Sequence, residues 1–192
     1  MLSTVAERMY WAARYLERVE NTARLVGVYH KLLLDLPSGV DITWYNLIIL
    51  NSAESAFAER YKKRDERNVL KFMLFDEQSG STLSAAKMLR ENVRTSRDVL
   101  ASEVWECVNE LYLYIRDNTQ QGLLRRPRYE FIDGIIKNCQ QLNGLLSDTT
   151  NHDDGWQFIQ LGKNLERADM TTRILDAGVS LLLQPSDDPC IN

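Results

Sequence analysis

The sequence has little of several residue types on which common protein chemistry depends. It contains two histidines, His30 and His152, and neither lies in the Glu-x-x-His pattern that di-iron helical bundles use. Neither histidine lies within the repeated Glu-Arg stretch described below, so a Ser-His-Asp or Cys-His nucleophile has no evident base. The three cysteines, Cys107, Cys139 and Cys190, stand at spacings that fit neither a disulfide framework nor a CxxC site. We expect reduced thiols and no metal site.

Three further absences narrow the function. No Gly-rich loop precedes a helix, so the chain is not expected to bind ATP, and no cofactor is indicated. A net charge of -4 and a pI near 5.3 argue against nucleic-acid binding. No apolar run approaches the roughly 20 residues that span a bilayer, and Glu7 and Arg8 interrupt the start where a secretory peptide would be apolar. We expect a cytoplasmic protein that does not bind membranes.

Helical periodicity dominates what is present. Apolar or small residues recur every three or four positions between residues 2 and 33, and the alternation typical of strands never persists. The pattern predicts an all-α bundle of six or seven helices, in one domain over residues 1–184 with a flexible tail at 185–192. It also predicts a short buried helix over 69–75, and a helix over 129–146 that follows a break in the pattern.

One stretch occurs twice. Residues 9–26, MYWAARYLERVENTARLV, align without a gap on residues 158–175, FIQLGKNLERADMTTRIL, at an offset of 149. Five positions are identical in the two copies: Leu16, Glu17, Arg18, Thr22 and Arg24 in the first, and Leu165, Glu166, Arg167, Thr171 and Arg173 in the second. We interpret the two stretches as one motif used in the first and last helices of the bundle.

Helical spacing places a stripe of charges beside the apolar seam of each copy. The stripes consist of Ala13, Glu17, Glu20 and Arg24 in the first copy and of Gly162, Glu166, Asp169 and Arg173 in the second. Glu20 with Arg24, and Asp169 with Arg173, are favourable i to i+4 pairs.

Glu17 and Glu166 have no such partner four residues later. Their strong local candidates are a base three residues back, Arg14 or Lys163. We expect the two stripes to face each other, with Arg18 and Arg167 forming reciprocal pairs with these glutamates. The small residues at positions 13 and 162 would let the backbones approach.

Three interpretations of such a layer remain open. It can fix the registry of a duplicated hairpin, because a buried ion pair specifies alignment more than it adds stability. It can bind a charged ligand, since acids and bases in one polar layer suit an amino acid or a peptide terminus. A carboxylate metal site is the third, and the shortage of histidine disfavours it.

The sequence resembles the bacterial alpha-E domain family, a predicted all-helical domain with a Glu-Arg motif. The resemblance is carried by three blocks in order: residues 1–25, residues 69–113 and residues 153–176. Its middle block adds Glu91, Arg94 and Glu103 to the candidate residues, and we expect Glu91 and Glu103 to lie near the glutamates at 17 and 166.

The resemblance implies an association with circularly permuted ATP-grasp proteins and transglutaminase-like proteins, and so with making or modifying amide bonds. The first hypothesis is an accessory or co-catalytic subunit that binds an ATP-grasp-type protein or a peptide substrate through the Glu/Arg layer. The second is an enzyme in which Glu17 or Glu166 is a general base. The third is a helical scaffold. A homo-oligomer is compatible with each of them.

Overall fold

The structure, a computed structural model, describes residues 3–35, 42–78 and 80–182. The predicted tail at 185–192 lies outside this part of the chain. The described residues form nine α-helices and one π-helical turn and contain no strand, so the predicted all-α class is confirmed. In chain order the elements are α1 (Ser3–Asp35), α2 (Asn46–Leu50), α3 (Glu54–Arg60), α4 (Glu66–Leu70), the π-helical turn (Lys71–Phe75), α5 (Thr82–Arg94), α6 (Ser102–Asp117), α7 (Thr119–Leu123), α8 (Arg125–Thr149) and α9 (Asp154–Leu182).

The helix count exceeds the predicted six or seven because short helices interrupt the middle of the chain. Helices α2, α3, α4 and α7 have five to seven residues each. Between α2 and α3 the chain forms a turn that contains Ser52, which has a positive φ of 52°. The segment predicted as a buried helix over 69–75 is the end of α4 followed by the π-helical turn, and Val69, Leu70 and Leu74 are fully buried there.

Helix α8 begins earlier than the sequence pattern predicts. It starts at Arg125 and not at Tyr129, because Pro127 lies in its first turn, where a backbone N–H has no intrahelical acceptor and a proline does no harm. Helix α9 begins at Asp154, directly after a capping aspartate. Asp153 accepts hydrogen bonds there from the backbone N–H groups of Gly155 and Trp156.

Helix α1 is the central element of the fold. It packs on α5, α8 and α9, and its contact with α9 is the most extensive between any two helices described. Its apolar seam lies in the main core with buried residues of α5, α6 and α8, among them Leu89, Leu111 and Ile135. The last long helix thus lies beside the first, which brings the two copies of the motif together.

A buried arginine holds α8 against the short helices. Arg128 is 1% exposed, forms an ion pair with Glu66 at 2.8 Å, and donates hydrogen bonds to the carbonyl oxygens of Gly122 and Leu123. Its guanidinium also lies over the ring of Trp44. Burial by itself raises the pKa of the Glu66 carboxyl, but hydrogen bonds from Arg128 and Arg125 bring that pKa below its usual value.

Candidate functional site: a polar seam and an adjoining pocket

Helices α1 and α9 run parallel, and small residues let them approach closely. Met9 lies beside Gly155, and Gly162 lies against the backbone of Tyr10 and the side chain of Ala13. A Cβ added at Gly162 would clash with the Tyr10 carbonyl oxygen and stand 3.3 Å from the Ala13 Cβ. The expectation that small residues at positions 13 and 162 allow the backbones to approach is confirmed.

Two reciprocal ion pairs cross this contact. Arg18 donates to Glu166 at 2.6 and 3.0 Å, and Arg167 donates to Glu17 at 2.5 Å. Both glutamates are 3% exposed. The expected pairing between the two stripes is therefore present, with each glutamate held by the arginine of the other helix.

The two glutamates differ in how completely they are paired. Glu166 also accepts from Arg14 at 2.7 Å, so two arginines contact its carboxylate. The local pairing of Arg14 with Glu17 is not formed, because on parallel helices Arg14 reaches across to α9. Among the described residues Glu17 pairs with Arg167 alone. Its Oε2 atom is buried without a hydrogen-bond partner there, as is the Nδ2 atom of Asn21 one turn later.

A second group of polar residues lies where this seam meets α8. Glu20 accepts from Arg24 at 2.6 Å and from Asn143 at 3.2 Å, and Asn143 in turn accepts from Lys163 at 2.9 Å. Lys163 thus contacts α8 and does not pair with Glu166 as its sequence position suggests. Burial, and next the carboxylates of Glu20 and Glu17, raise the pKa of the Cys139 thiol far above its usual value, so this thiol stays protonated.

A pocket of about 370 Å³ opens beside the Arg18–Glu166 pair. It is bounded by α1, α9, the α2–α3 turn, α3, the π-helical turn and the residues just before α5. Its walls combine charged, polar and apolar side chains, including Arg18, Thr22, Asn51, Arg60, Phe72, Met73, Gln78, Ser81, Glu166, Asp169, Met170 and Arg173. We call this space the seam pocket.

Three arginines of the seam pocket keep donors available. Arg60 donates through Nη1 to Asp76 at 2.7 Å. Arg173 donates through Nε to Asp169 at 3.1 Å and through Nη1 to the Asn51 carbonyl oxygen at 2.9 Å. A guanidinium has five N–H groups, so Arg18, Arg60 and Arg173 retain donors for a ligand. The pocket offers arginine donors for an anionic group and the Asp169 carboxylate for a cationic one.

Two backbone features form part of the pocket wall. Ser52 adopts the left-handed conformation, which costs a non-glycine residue roughly 1–2 kcal/mol and tends to persist where a site requires it. Phe72 and Met73 belong to the π-helical turn, a distortion that is frequent at functional sites. Both irregular segments thus contribute residues to the pocket wall.

Other predicted site residues lie away from the seam. Glu91 forms surface pairs with Arg94 at 2.9 Å and with Arg90 at 3.6 Å. Glu103 is exposed and lines an acidic groove between α6 and α8. The expectation that Glu91 and Glu103 approach Glu17 and Glu166 is wrong, because α5 and α6 direct these carboxylates towards solvent.

The remaining predicted pairs are local. Asp169 with Arg173 and Glu20 with Arg24 form the expected i to i+4 bridges. Among the residues that the structure describes, no group of three or more His, Cys, Asp or Glu side chains is arranged to hold a metal ion. Across the same residues, no helix combines the length and hydropathy needed to cross a membrane.

A family model matches residues 1–189 of this chain, and its description is a predicted alpha-helical domain with a conserved ER motif. The chain belongs to the Alpha-E family. The Glu-Arg dipeptides at 17–18 and 166–167, which form the reciprocal pairs, fit that description.

Curated relatives of this Alpha-E chain include two mycobacterial proteins, each described only as uncharacterized. One from Mycobacterium bovis is 23% identical over 210 aligned positions, and one from Mycobacterium tuberculosis strain H37Rv is 22% identical. Each alignment covers 97% of this chain and 23% of the relative, so the chain spans about a quarter of the length of these relatives. No solved structure matches this chain.

Proposed function

We propose that this Alpha-E chain is an accessory or co-catalytic subunit of a system that forms or modifies amide bonds, and that the seam pocket binds a peptide or amino acid. The observation that carries the proposal is the pocket itself, in which Arg18, Arg60 and Arg173 lie near Glu166 and Asp169. A ligand with a carboxylate and an ammonium group would meet a partner for each charge. A volume of about 370 Å³ suits a short peptide or a single amino acid.

The comparison with relatives supports a role beside another protein. In the mycobacterial relatives the matching segment is about a quarter of a longer polypeptide, so there it is covalently joined to other parts. An ATP-grasp-type protein is the partner that the family resemblance implies, and a chain without a Gly-rich phosphate loop would depend on such a partner for activation by ATP.

We also infer that residues 9–26 and 158–175 are one motif used twice. Positions related by the offset of 149 occupy equivalent places along two parallel helices, and Glu17 and Glu166 are each paired with the arginine of the other copy. A duplicated helix packed against its own copy would give such reciprocal pairs. The small residues Ala13 and Gly162 also face each other at equivalent positions.

Binding to the seam pocket is tested by calorimetric titration with three probes: alanyl-alanine, its C-terminal amide and its N-acetylated form. We expect the free dipeptide to bind, and the amide to bind at least tenfold more weakly because the arginines lose their anionic partner. The acetylated form should lose the contribution of Asp169. Arg173→Met and Arg60→Met should weaken binding of the free dipeptide.

Arg116→Met is the matched control, because Arg116 pairs with Asp117 at 2.7 Å on α6 and does not line the pocket. If none of the three probes binds, or if Arg116→Met weakens binding as much as Arg173→Met, the proposed pocket is wrong. The partner is tested separately by gel-filtration co-elution with an ATP-grasp-type protein from the same organism. Separate elution of the two proteins at micromolar concentration would count against the proposed partnership.

A structural scaffold is a second candidate that one observation favours. Glu166 has both of its carboxylate oxygens bound by arginine, as expected of a pair that only fixes helix registry. Replacing Arg14, Arg18 and Glu166 together with apolar residues of similar volume separates the candidates. Unchanged dipeptide binding in that variant would favour a purely structural role for the ion pairs between α1 and α9.

A further inference from the structure

The outward face of α9 carries a row of apolar side chains. The inward face packs on α1 through a narrow row that contains Gly155, Ile159, Gly162, Glu166 and Met170. On the outer side, six exposed residues follow a regular spacing of three and four positions: Phe158, Leu161, Leu165, Ala168, Thr172 and Leu175. The four large ones are 38% to 62% exposed. We call this row the α9 stripe.

The equivalent residues of α1 are buried. The offset of 149 relates the α9 stripe to six residues that are each at most 9% exposed: Met9, Ala12, Leu16, Val19, Ala23 and Val26. On α1 this row lies in the core, where α5 and α8 cover it. A spacing of three and four positions is the pattern by which one helix packs on another. Within the part of the chain that the structure describes, no helix covers the α9 stripe.

We propose that the α9 stripe binds the same stripe of a second copy of this chain, with the two α9 helices antiparallel. A two-fold axis between positions 165 and 168 places Leu165 opposite Ala168 and Leu161 opposite Thr172, so that large side chains meet small ones. It also places Phe158 opposite Leu175. In-register parallel pairing would put Leu165 on Leu165 and Ala168 on Ala168, so that wide layers alternate with narrow ones and gaps remain at the alanines.

The size and charge of the α9 stripe suit a weak dimer. At the observed exposure its six side chains present roughly 500 Å² of mostly apolar surface, within the range that marks interaction sites. Two copies would then bury about 1,000 Å², at the lower limit for a specific interface. One flank of the stripe is uncharged, with Gln157, Asn164 and Thr171, so two copies meet no like-charge repulsion there.

A neighbouring groove extends the surface. It lies between the start of α1 and α9, and it is lined by Ser3, Ala6, Glu7 and Tyr10 together with Phe158, Leu161 and Leu165. In the antiparallel register, Leu175 of the second copy lies at the Phe158 end of this groove and can enter it. The proposal stands apart from the proposed function, because Leu165 and Ala168 do not line the seam pocket.

Sedimentation equilibrium of the intact chain over about 5–500 μM tests the proposal, since an interface of this size is expected to associate in that range. We expect a monomer–dimer equilibrium, and at least a tenfold weaker association for Leu165→Glu. The matched control is Ile174→Glu on the same helix, because Ile174 is 45% exposed, close to the 46% of Leu165, but lies off the stripe. Far-UV circular dichroism checks that both variants remain helical.

The antiparallel register is tested by mixing Leu165→Lys with Ala168→Glu. The dimer has two central layers, each formed by residue 165 of one copy and residue 168 of the other. Each variant alone places a charge against an apolar residue in both of these layers. The mixed dimer has one Lys–Glu layer and one unchanged layer, so the mixture should associate at least fivefold more tightly than either variant alone.

A chain that stays monomeric throughout the concentration range would overturn the proposal and leave the stripe to a different partner. Equal weakening by Ile174→Glu and Leu165→Glu would also overturn it. No preference for the mixed dimer would overturn the antiparallel arrangement. Unchanged dipeptide binding by Leu165→Glu is expected in every case, which separates this test from that of the seam pocket.

Discussion

Gly162 packs against the backbone of Tyr10, where the absence of a side chain lets α1 and α9 approach closely. Because an added methyl group would meet a carbonyl oxygen and not a flexible side chain, the two helices must separate to accept it. We expect Gly162→Ala to lower the free energy of unfolding by about 1–3 kcal/mol in urea denaturation. Gly178→Ala is the control. On the same helix, a methyl group at position 178 would have no described atom within 4 Å, and it should raise stability by up to about 1 kcal/mol.

Because Glu17 has one arginine partner and Glu166 has two, removing an arginine should lower the free energy of unfolding by different amounts at the two glutamates. Arg167→Met removes the one described arginine that pairs with Glu17 and leaves a carboxylate that is 3% exposed. We expect it to cost about 3 kcal/mol. Arg18→Met leaves Glu166 paired with Arg14 and should cost about 1 kcal/mol. Urea denaturation of the two variants under the same conditions gives the comparison. Equal losses in the free energy of unfolding would show that Arg14 does not compensate for the loss of Arg18.

His30 gives the fold a dependence on pH. Burial lowers the pKa of His30, and the neighbouring Arg128 cation lowers it further. The Nδ1 atom of His30 lies 3.2 Å from Arg128 Nη1, so it accepts a hydrogen bond when the ring is neutral. The unfolded chain therefore takes up the proton more readily than the folded one. Stability due to this residue is present above the ordinary pKa of 6.5 and is lost as the pH falls through the lowered value.

The measurement is the free energy of unfolding between pH 7.5 and pH 5, compared with His30→Gln. The glutamine can still accept from Arg128 but does not titrate, so the variant should lose less stability on acidification. Parallel pH profiles for the two proteins would mean that the His30–Arg128 contact does not persist in solution.

Replacing Ser52 with glycine should stabilise the protein. Its φ of 52° suits glycine, so Ser52→Gly should raise the free energy of unfolding by about 0.5–1 kcal/mol. Ser55→Gly in α3 should have the opposite sign and lower stability by about 0.5 kcal/mol, because that serine lies within a helix. Thermal denaturation of the two variants decides the point. A loss of stability in both would mean that residue 52 is not strained.

Much of the seam could be predicted from the sequence because it depends on short-range geometry and on the repeat. Helical spacing determines which residues share a face, and the offset of 149 indicates which arginine meets which glutamate. The role of Arg14 could not be obtained this way. Whether it pairs with Glu17 on its own helix or with Glu166 on the next depends on the parallel direction of α1 and α9, which spacing does not encode.

The seam pocket could not be predicted from local patterns. Arg60 belongs to a run of alternating charges, which indicates a solvated surface, and no signal in the sequence separates it from its neighbours. The α2–α3 turn, the π-helical turn and α9 form the pocket together, although they are far apart along the chain. Glu91 and Glu103, in contrast, were predicted to lie at the site and do not. Both belong to residues 69–113, which resemble the family. That resemblance does not indicate the direction in which a side chain points.

The parallel contact of α1 with α9 also affects how the protein is made. Because α1 leaves the ribosome more than a hundred residues before α9, Glu17 lacks Arg167 and Ala13 lacks Gly162 during most of synthesis. The contacts that complete the domain are also those with the largest sequence separation, and such contacts slow folding. Closure of the bundle is therefore a late event in the life of each new molecule.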